Sequence, residues 1–358
     1  MRLTRLQARH VRILEDVRIA PDPGLNIIEG ANASGKTSLL EAIHILALGR
    51  SFRTRKTREV VNREADALLV FGEGKENEFS HRLGVKKSNR EKTEIHVDGQ
   101  RAKGVSALAA LLPLLVITPE SHALISGGPN QRRALVDWGV FHVERPFHRH
   151  WLTYERALRQ RNALLKQGAG NASLTVWERE MTSAGNEITA QRARYVETLL
   201  PRVEQHLESL LGDLEVEIAL KTGWGSEPLD EALRAAREKD ERFGYTTVGP
   251  HRAELQIRIE GRPASEVVSR GQQKLMVMAL RLAQLEVFRA ATGRSAVLLI
   301  DDLPAELDRE RRAVLLAQLS QMDLQIFVTT TEAALIGNQA WPSSKVFHVE
   351  HGRVSSRS

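Results

Sequence analysis

Eight consecutive residues, Gly30-Ala31-Asn32-Ala33-Ser34-Gly35-Lys36-Thr37, carry the pattern G-x-x-x-x-G-K-[ST], and Ser38 follows them. Glycines at the two ends let a loop turn its backbone N–H groups inward on a phosphate, and a helix that starts there adds its positive end. In such a loop Lys36 reaches the β- and γ-phosphates and the Thr37 hydroxyl ligates Mg²⁺. The surroundings suit that chemistry. Leu25-Asn26-Ile27-Ile28 reads as a short buried strand, and Ser38-Leu39-Leu40-Glu41-Ala42-Ile43 opens an apolar-periodic helix.

A second acidic element lies far downstream. Ala296-Val297-Leu298-Leu299-Ile300 is an apolar strand that ends in Asp301-Asp302. At the C-terminal edge of a parallel sheet it would face the phosphate loop, with Asp301 holding Mg²⁺ and Asp302 polarising the attacking water. A buried strand that ends at an N-cap accounts for one of these aspartates, not two. Ser269-Arg270-Gly271-Gln272-Gln273-Lys274 opens a long helix, where a hydroxyl and free N–H groups can meet an anion. Arg50, Arg53, Arg55, Lys56 and Arg58 place five cations in ten residues, a run suited to a nucleic-acid backbone or to a solvated loop.

The elements that must position these groups can be read from periodicity. Short strands fill residues 1–28, and three further strands are expected at 67–72, 78–85 and 93–97, followed by an Asp98-Gly99 hairpin turn. An apolar strand at 111–117 leads to a helix start at Thr118-Pro119-Glu120. The middle is helical. Phe147, Trp151, Tyr154, Leu158 and Leu165 form one seam with Arg161 in its gap. Leu174, Trp177, Met181, Ala184, Ile188, Tyr195 and Leu199 form another, broken at Gln191. Around the Gly-rich turn at 168–173 these two stretches predict a short antiparallel helical arm, each helix roughly 30–40 Å long. Strand character returns at 215–220 and 254–259, then a helix from 272 to about 291. The strand at 296–300, a helix at 310–319 and strands at 325–329 and 346–350 complete the pattern. Strand–helix alternation on both sides of a helical insert predicts a split α/β domain. The expected parts are an N-terminal lobe over 1–118, a helical lobe over 119–244 and a C-terminal part over 245–358.

Composition narrows the class. The 358 residues are 42% hydrophobic and 27% charged, which describes a globular chain and not a disordered one. No cysteine is present, so disulfides, thiol catalysis and Cys-based zinc sites are excluded, in keeping with a reducing cytoplasm. Neither a signal peptide nor an apolar run long enough to span a membrane is expected. The net charge of +6 is modest, so the local run at 50–58 says more about a polyanionic partner than the total does. His142, His148 and His150 lack the acids and spacing of a metal site and read as solvated or phosphate-facing.

Taken together, the phosphate loop, Ser269-x-Gly271-Gln272, the Asp301-Asp302 strand and Ala305-Glu306-Leu307-Asp308 resemble, in order, the Walker A, signature, Walker B and D-loop motifs of ABC-type ATPases. That resemblance implies ATP with Mg²⁺, a homodimer with two ATP molecules sandwiched between protomers, Ser269, Gly271 and Gln272 acting in trans, and slow hydrolysis that opens the dimer. Gly271 follows Thr37 by 234 positions, too many for a transporter motor. An arm this short, without cysteine, is unlike SMC or Rad50 proteins.

Nearly the whole chain is similar to the RecF family of bacterial DNA recombination and repair proteins. The similarity runs through Gly49-Arg50-Ser51-Phe52-Arg53-Thr54, Thr118-Pro119-Glu120, Gly128-Pro129-Asn130-Gln131-Arg132-Arg133 with Asp137, and Gly249-Pro250-His251-Arg252. It implies an α/β ABC-type ATPase head with an inserted helical lobe. It also implies DNA as partner, duplex or at gaps and single-strand junctions, and RecR and RecO, with RecA indirectly, in repair, replication restart and the SOS response. Departures are Ala31 and Ala33 in the loop, His10-Val11-Arg12 near the start, and Ala305 in the D-loop. Asp302 stands at the usual catalytic Glu, and Thr329-Thr330-Thr331 stand where a switch histidine is usual. No Q-loop glutamine is evident. The alternative reading is a regulatory ATPase of the same class that acts on proteins, its basic run incidental.

Overall fold

A computed structural model describes residues 1–89, 91–168, 170–212, 214–337 and 340–357, with only the backbone of residue 171. They divide into two compact units, 1–121 with 293–358, and 122–292.

The first unit begins with a meander. Strands β1 (Arg2–Val11) and β2 (Leu14–Ile19) pair antiparallel, and β3 (Leu25–Glu29), buried throughout, runs into the phosphate loop. Helix α1 (Lys36–Leu48) is buried from Ser38 to Ala47, including Ser38, Glu41 and His44 among its apolar residues. It packs against two sheets at once. One is antiparallel, in the order β2-β1-β4-β5-β6-β7, with β4 Ala67–Glu76, β5 Phe79–Ser88, β6 Glu94–Val97 and β7 Gln100–Arg101. Gly72 marks where helix and sheet close up, since a Cβ there would lie 2.3 Å from a Leu46 methyl. Asp98 and Gly99, with φ of 50° and 80°, make the expected tight turn between β6 and β7. The expected strand at 111–117 is shorter. A helix, α2 (Ser106–Leu111), ends just before Pro113, and only β8 (Leu114–Ile117) is extended.

The second unit is mainly helical: α3 (Pro129–Val143), α4 (Phe147–Lys166) and α5 (Asn171–Leu211), which is 41 residues long. Helices α4 and α5 run back along each other, with His150 meeting Gln191, Tyr154 close to Gly185 and Arg161 meeting Glu178. They differ from two arms of equal length: α5 is twice as long as α4 and spans roughly 60 Å. Its second half packs on α6 (Arg270–Thr292), where His206 lies 3.1 Å from Glu286. Arg161, the cation in the first seam, is fully buried and reaches Asp240 at 2.7 Å and Thr246 at 2.8 Å. Gln191, the polar break, is also buried. A three-stranded sheet, β9 (Glu217–Lys221), β10 (Glu254–Ile259) and β11 (Arg262–Pro263), completes this unit. Residues 245–292, expected with the C-terminal part of the ATPase, therefore pack with the helical segment: Gln284 of α6 donates to the Leu135 carbonyl, and Arg192 to that of Pro250.

The chain then returns to the first unit with β12 (Val297–Ile300), α7 (Arg309–Gln321), β13 (Gln325–Thr330), β14 (Ser344–Glu350) and β15 (Arg353–Arg357). These build the second sheet, β15-β14-β3-β13-β12-β8, parallel except for β15. β12 and β13 are buried at every residue; β12 is a continuous apolar run, and β13 is apolar at Ile326–Val328 between Gln325 and the two threonines 329 and 330.

Candidate nucleotide site and basic loop

The phosphate loop leaves β3 and enters α1 through residues of opposite backbone hand. Gly30 has φ 154°, and a Cβ on it would lie 2.2 Å from the Val349 carbonyl oxygen. Ala33 (φ 63°) is left-handed, and Gly35 (φ 116°) caps α1. Such alternation makes a concave nest of N–H groups. Ser34 is buried in it, and its Oγ has no partner among the described residues, as expected of a group facing an anion. Lys36 Nζ donates to the Gly30 and Ala31 carbonyls at 2.7 and 2.8 Å. Burial pulls its pKa down, opposed by the nearby charges of Asp302 and Asp301.

β12 delivers the acidic pair to the same place. Thr37 Oγ1 lies 3.0 and 3.1 Å from the two Asp301 oxygens, and the Thr329 hydroxyl donates to Asp301 Oδ1 at 2.7 Å. Burial raises the Asp301 pKa, and the hydroxyls of Thr329 and Thr37 work against it. A hydroxyl beside a carboxylate is the hard-oxygen pair that suits Mg²⁺, so the residues present fit that ion. Asp302 follows in the left-handed region (φ 55°, ψ 49°), and its N–H donates to Thr329 Oγ1 at 2.7 Å. A non-glycine residue held there is a small store of strain of the kind found at working sites. Thr329 thus braces both aspartates, and Thr330 donates to the Glu332 carbonyl. Thr329 and Thr330, which end the buried strand β13, were the signal for this brace.

All five cations of the basic loop are exposed. Lys56 pairs with Glu59 at 3.2 Å. What holds the loop was not legible. Glu41, fully buried on α1, accepts two hydrogen bonds from Arg12 (2.6 and 2.9 Å) and one from Ser51. Ser51 Oγ in turn accepts from the N–H groups of Arg53 and Thr54 at 2.9 and 3.1 Å. His44 Nδ1 meets the Arg50 carbonyl at 2.7 Å, and burial pushes its pKa down to about 4.

The signature residues belong to the second unit. Ser269 Oγ accepts from the Gln272 N–H at 3.3 Å, and Gln272 Oε1 accepts from the Ser269 N–H at 2.9 Å. This is a reciprocal capping box. It fixes the start of α6 and leaves Ser269, Arg270 and Gly271 exposed. In the first unit Asp308 caps α7 by accepting from Arg311 N at 2.9 Å. Gly249 (φ 125°) has no room for a Cβ, which would lie 2.4 Å from Tyr154 Oη, and that hydroxyl pairs with His251 Nδ1 at 2.7 Å. Among the described residues, no three His, Cys, Asp or Glu side chains converge as a metal site, and His142 and His148 lie edge-on to Phe141.

The family model for the RecF/RecN/SMC N terminal domain matches residues 2–355. A protein of Shewanella piezotolerans named DNA replication and repair protein RecF is 39% identical over 99% of both chains. Its namesake in Thioalkalivibrio sulfidiphilus is 41% identical with the same coverage. Among solved structures, the recombination mediator protein RecF with ATP in the RecFOR pathway is 27% identical. It superposes with a TM-score of 0.90 over 100% of this chain and 98% of that one. The Smc head domain from Pyrococcus furiosus, 16% identical with a TM-score of 0.60, covers 100% of this chain and 96% of that one and shares the fold alone. Motif order, architecture and full-length relatives agree, and the chain belongs to the RecF family of DNA replication and repair proteins.

Proposed function

We propose that this protein is an ATP-dependent DNA-binding recombination mediator. ATP is held at Gly30–Ser38 and closes two protomers into a clamp, and slow hydrolysis reopens it. The observation that carries the reading is the meeting of Thr37 with Asp301 beneath a loop whose Lys36 and Ser34 face inward. Thr37 and Asp301 would hold Mg²⁺, which supplies positive charge against the β- and γ-phosphates. Lys36 adds a second charge, and Asp302 orients the attacking water. Ser269 and Gly271, exposed at a helix start, and the half-buried Gln272 beside them suit the γ-phosphate of a partner protomer. Arg50, Arg53, Arg55, Lys56 and Arg58 give the clamp an exposed polycation for the DNA backbone. RecR and RecO as partners, action at gaps, replication restart and SOS induction, and a cytoplasmic setting follow from family likeness. The relative with ATP, described as part of the RecFOR pathway, supports that likeness.

The test is fluorescence anisotropy of labelled gapped, duplex and single-stranded DNA, without nucleotide and with ATP or ADP. Tighter duplex binding with ATP than with ADP, steepening with protein concentration, is expected. Duplex binding indifferent to nucleotide would defeat the clamp and favour an ATPase that acts on a protein partner.

A further inference from the structure

The antiparallel sheet of the first unit buries one face against α1 and leaves the other to solvent. On that outer face, pairing registers align one row across all six strands: Arg18, Gln7, Phe71, Gly84, His96 and Arg101. The row has a cation at each end, two rings near its centre and no acid. Acids stand in the two flanking rows, each matched by as many cations: Glu73 and Asp98 with Arg5 and Arg82 on one side, Asp16 and Glu94 with Arg9 and Lys86 on the other, and Glu73 and Asp98 also line the groove. Glu73 lies between Arg5 and Arg82, and Asp16 between Arg9 and Arg18. Gly84 separates the two rings. A Cβ there would meet nothing but His96 Cβ, at 3.8 Å, so the floor between Phe71 and His96 is open. A groove of about 650 Å³ passes over these three residues. Phe71 and His96 sit two strands apart, roughly 9.5 Å along the sheet, which leaves room for one planar ring between them.

The geometry points to single-stranded DNA as the ligand of this face, with one base seated over Gly84 between Phe71 and His96 and the neighbouring phosphates on the arginines. Unpaired bases offer the flat faces that such a slot takes, whereas a duplex hides them and an acidic peptide has none. The choice of DNA rests on the function proposed above, but the surface itself involves neither the phosphate loop nor a second protomer. It is a site separate from the 50–58 loop and independent of ATP.

The deciding variant is Gly84→Val. Its Cβ enters the slot with only an ordinary contact, to His96 Cβ, and it adds a residue that strands favour. A labelled oligothymidylate of about twelve nucleotides, within the span of known single-strand sites, is titrated by anisotropy into the full chain without nucleotide. Gly84→Val is expected to weaken binding by roughly fivefold or more, the low end for one lost base–aromatic stack, with ATP affinity unchanged and the urea midpoint not lowered. Photo-adducts of 4-thiothymidine on wild-type protein are expected on the peptides that hold Phe71 or His96, and this map decides the matter if the variant fails to fold. Wild-type affinity in Gly84→Val, or adducts confined to other peptides, would overturn the proposal. So would an Asp/Glu-rich peptide that binds here while oligothymidylate does not. Failure of the ATP-dependent clamp would leave these nucleotide-free readings unchanged.

Discussion

The Thr37 hydroxyl lies within hydrogen-bonding distance of both oxygens of Asp301, 264 residues away in the chain, at 3.0 and 3.1 Å. The two residues come from the start of α1 and the end of β12, and Thr329 from β13 locks the carboxylate from the other side. Three elements therefore agree on the position of one carboxylate before any nucleotide arrives. Preorganisation of this kind spares the site a rearrangement when the charged ligand enters.

Lys36→Met is expected to abolish measurable ATP binding, since it removes the one ammonium held over the loop by the Gly30 and Ala31 carbonyls. Hydrogen bonds to charged groups contribute about 1.5–3 kcal/mol each, so losing two of them, one to each of the β- and γ-phosphates, costs at least roughly a hundredfold. Titration of a fluorescent ATP analogue reads it directly, and wild-type affinity in the variant would remove the phosphate loop from the mechanism.

Ser269→Asp separates capping from recognition. Aspartate caps helices as well as serine, so α6 keeps its start and stability changes by only a few tenths of a kcal/mol. A carboxylate at that exposed position repels a phosphate, so ATP should still bind each protomer but no longer drive dimerisation. Sedimentation velocity with and without ATP distinguishes the two effects. An ATP-dependent dimer of normal strength would argue against contact in trans.

Asp302→Asn keeps a side chain that tolerates the left-handed backbone at φ 55° and removes only the carboxylate charge. Nucleotide binding should survive while single-turnover hydrolysis falls by roughly 10²- to 10⁴-fold, the usual contribution of a general base. Undiminished hydrolysis would assign the water to another group.

The exposed cations of the 50–58 loop make a salt prediction. Replacing Arg55 and Arg58 by Ala should weaken duplex binding alike for all sequences and reduce the slope of log K against log salt by about 1 per lost phosphate contact. An unchanged slope would mean that the loop does not touch the backbone.

His44 links stability to pH. Its ring is buried, and its pKa sits at about 4 in the fold against about 6.5 in an unfolded chain. Between those values the unfolded state takes up a proton that the folded state refuses. The contribution of His44 is therefore complete above pH 6.5 and is lost as pH falls towards 4, about 1.4 kcal/mol for each pH unit. Urea unfolding between pH 5 and 6.5 should show a slope shallower by one proton in His44→Leu. Equal slopes would mean that His44 titrates normally.

Much of this was legible in the sequence because its signals are local. The phosphate loop carries its strand and helix on either side, and β10, predicted at 254–259, is Glu254–Ile259 in the structure. What escaped depends on distant partners. A short apolar run such as Leu111–Ile117 does not reveal whether its first residue ends a helix or begins a strand, and here Pro113 decided it. The clasp of Arg12 and Ser51 on Glu41 joins three segments by side chains alone, with no periodic trace. Arg161 showed itself as a gap in a seam, but its acids at 178 and 240 could be found only once the helices had packed.

The order of strands around β3 bears on how the protein is made. β3 emerges early in synthesis, yet its two neighbours are β13 and β14, whose residues begin at 325 and 344. At the ribosome's pace of about 5–20 residues per second, the phosphate loop waits some tens of seconds without its flanking strands. A growing chain therefore completes the sheet around the phosphate loop only when its last strands are made. Translation that stops short of β14 leaves β3, and the loop it feeds, without one of its two neighbouring strands.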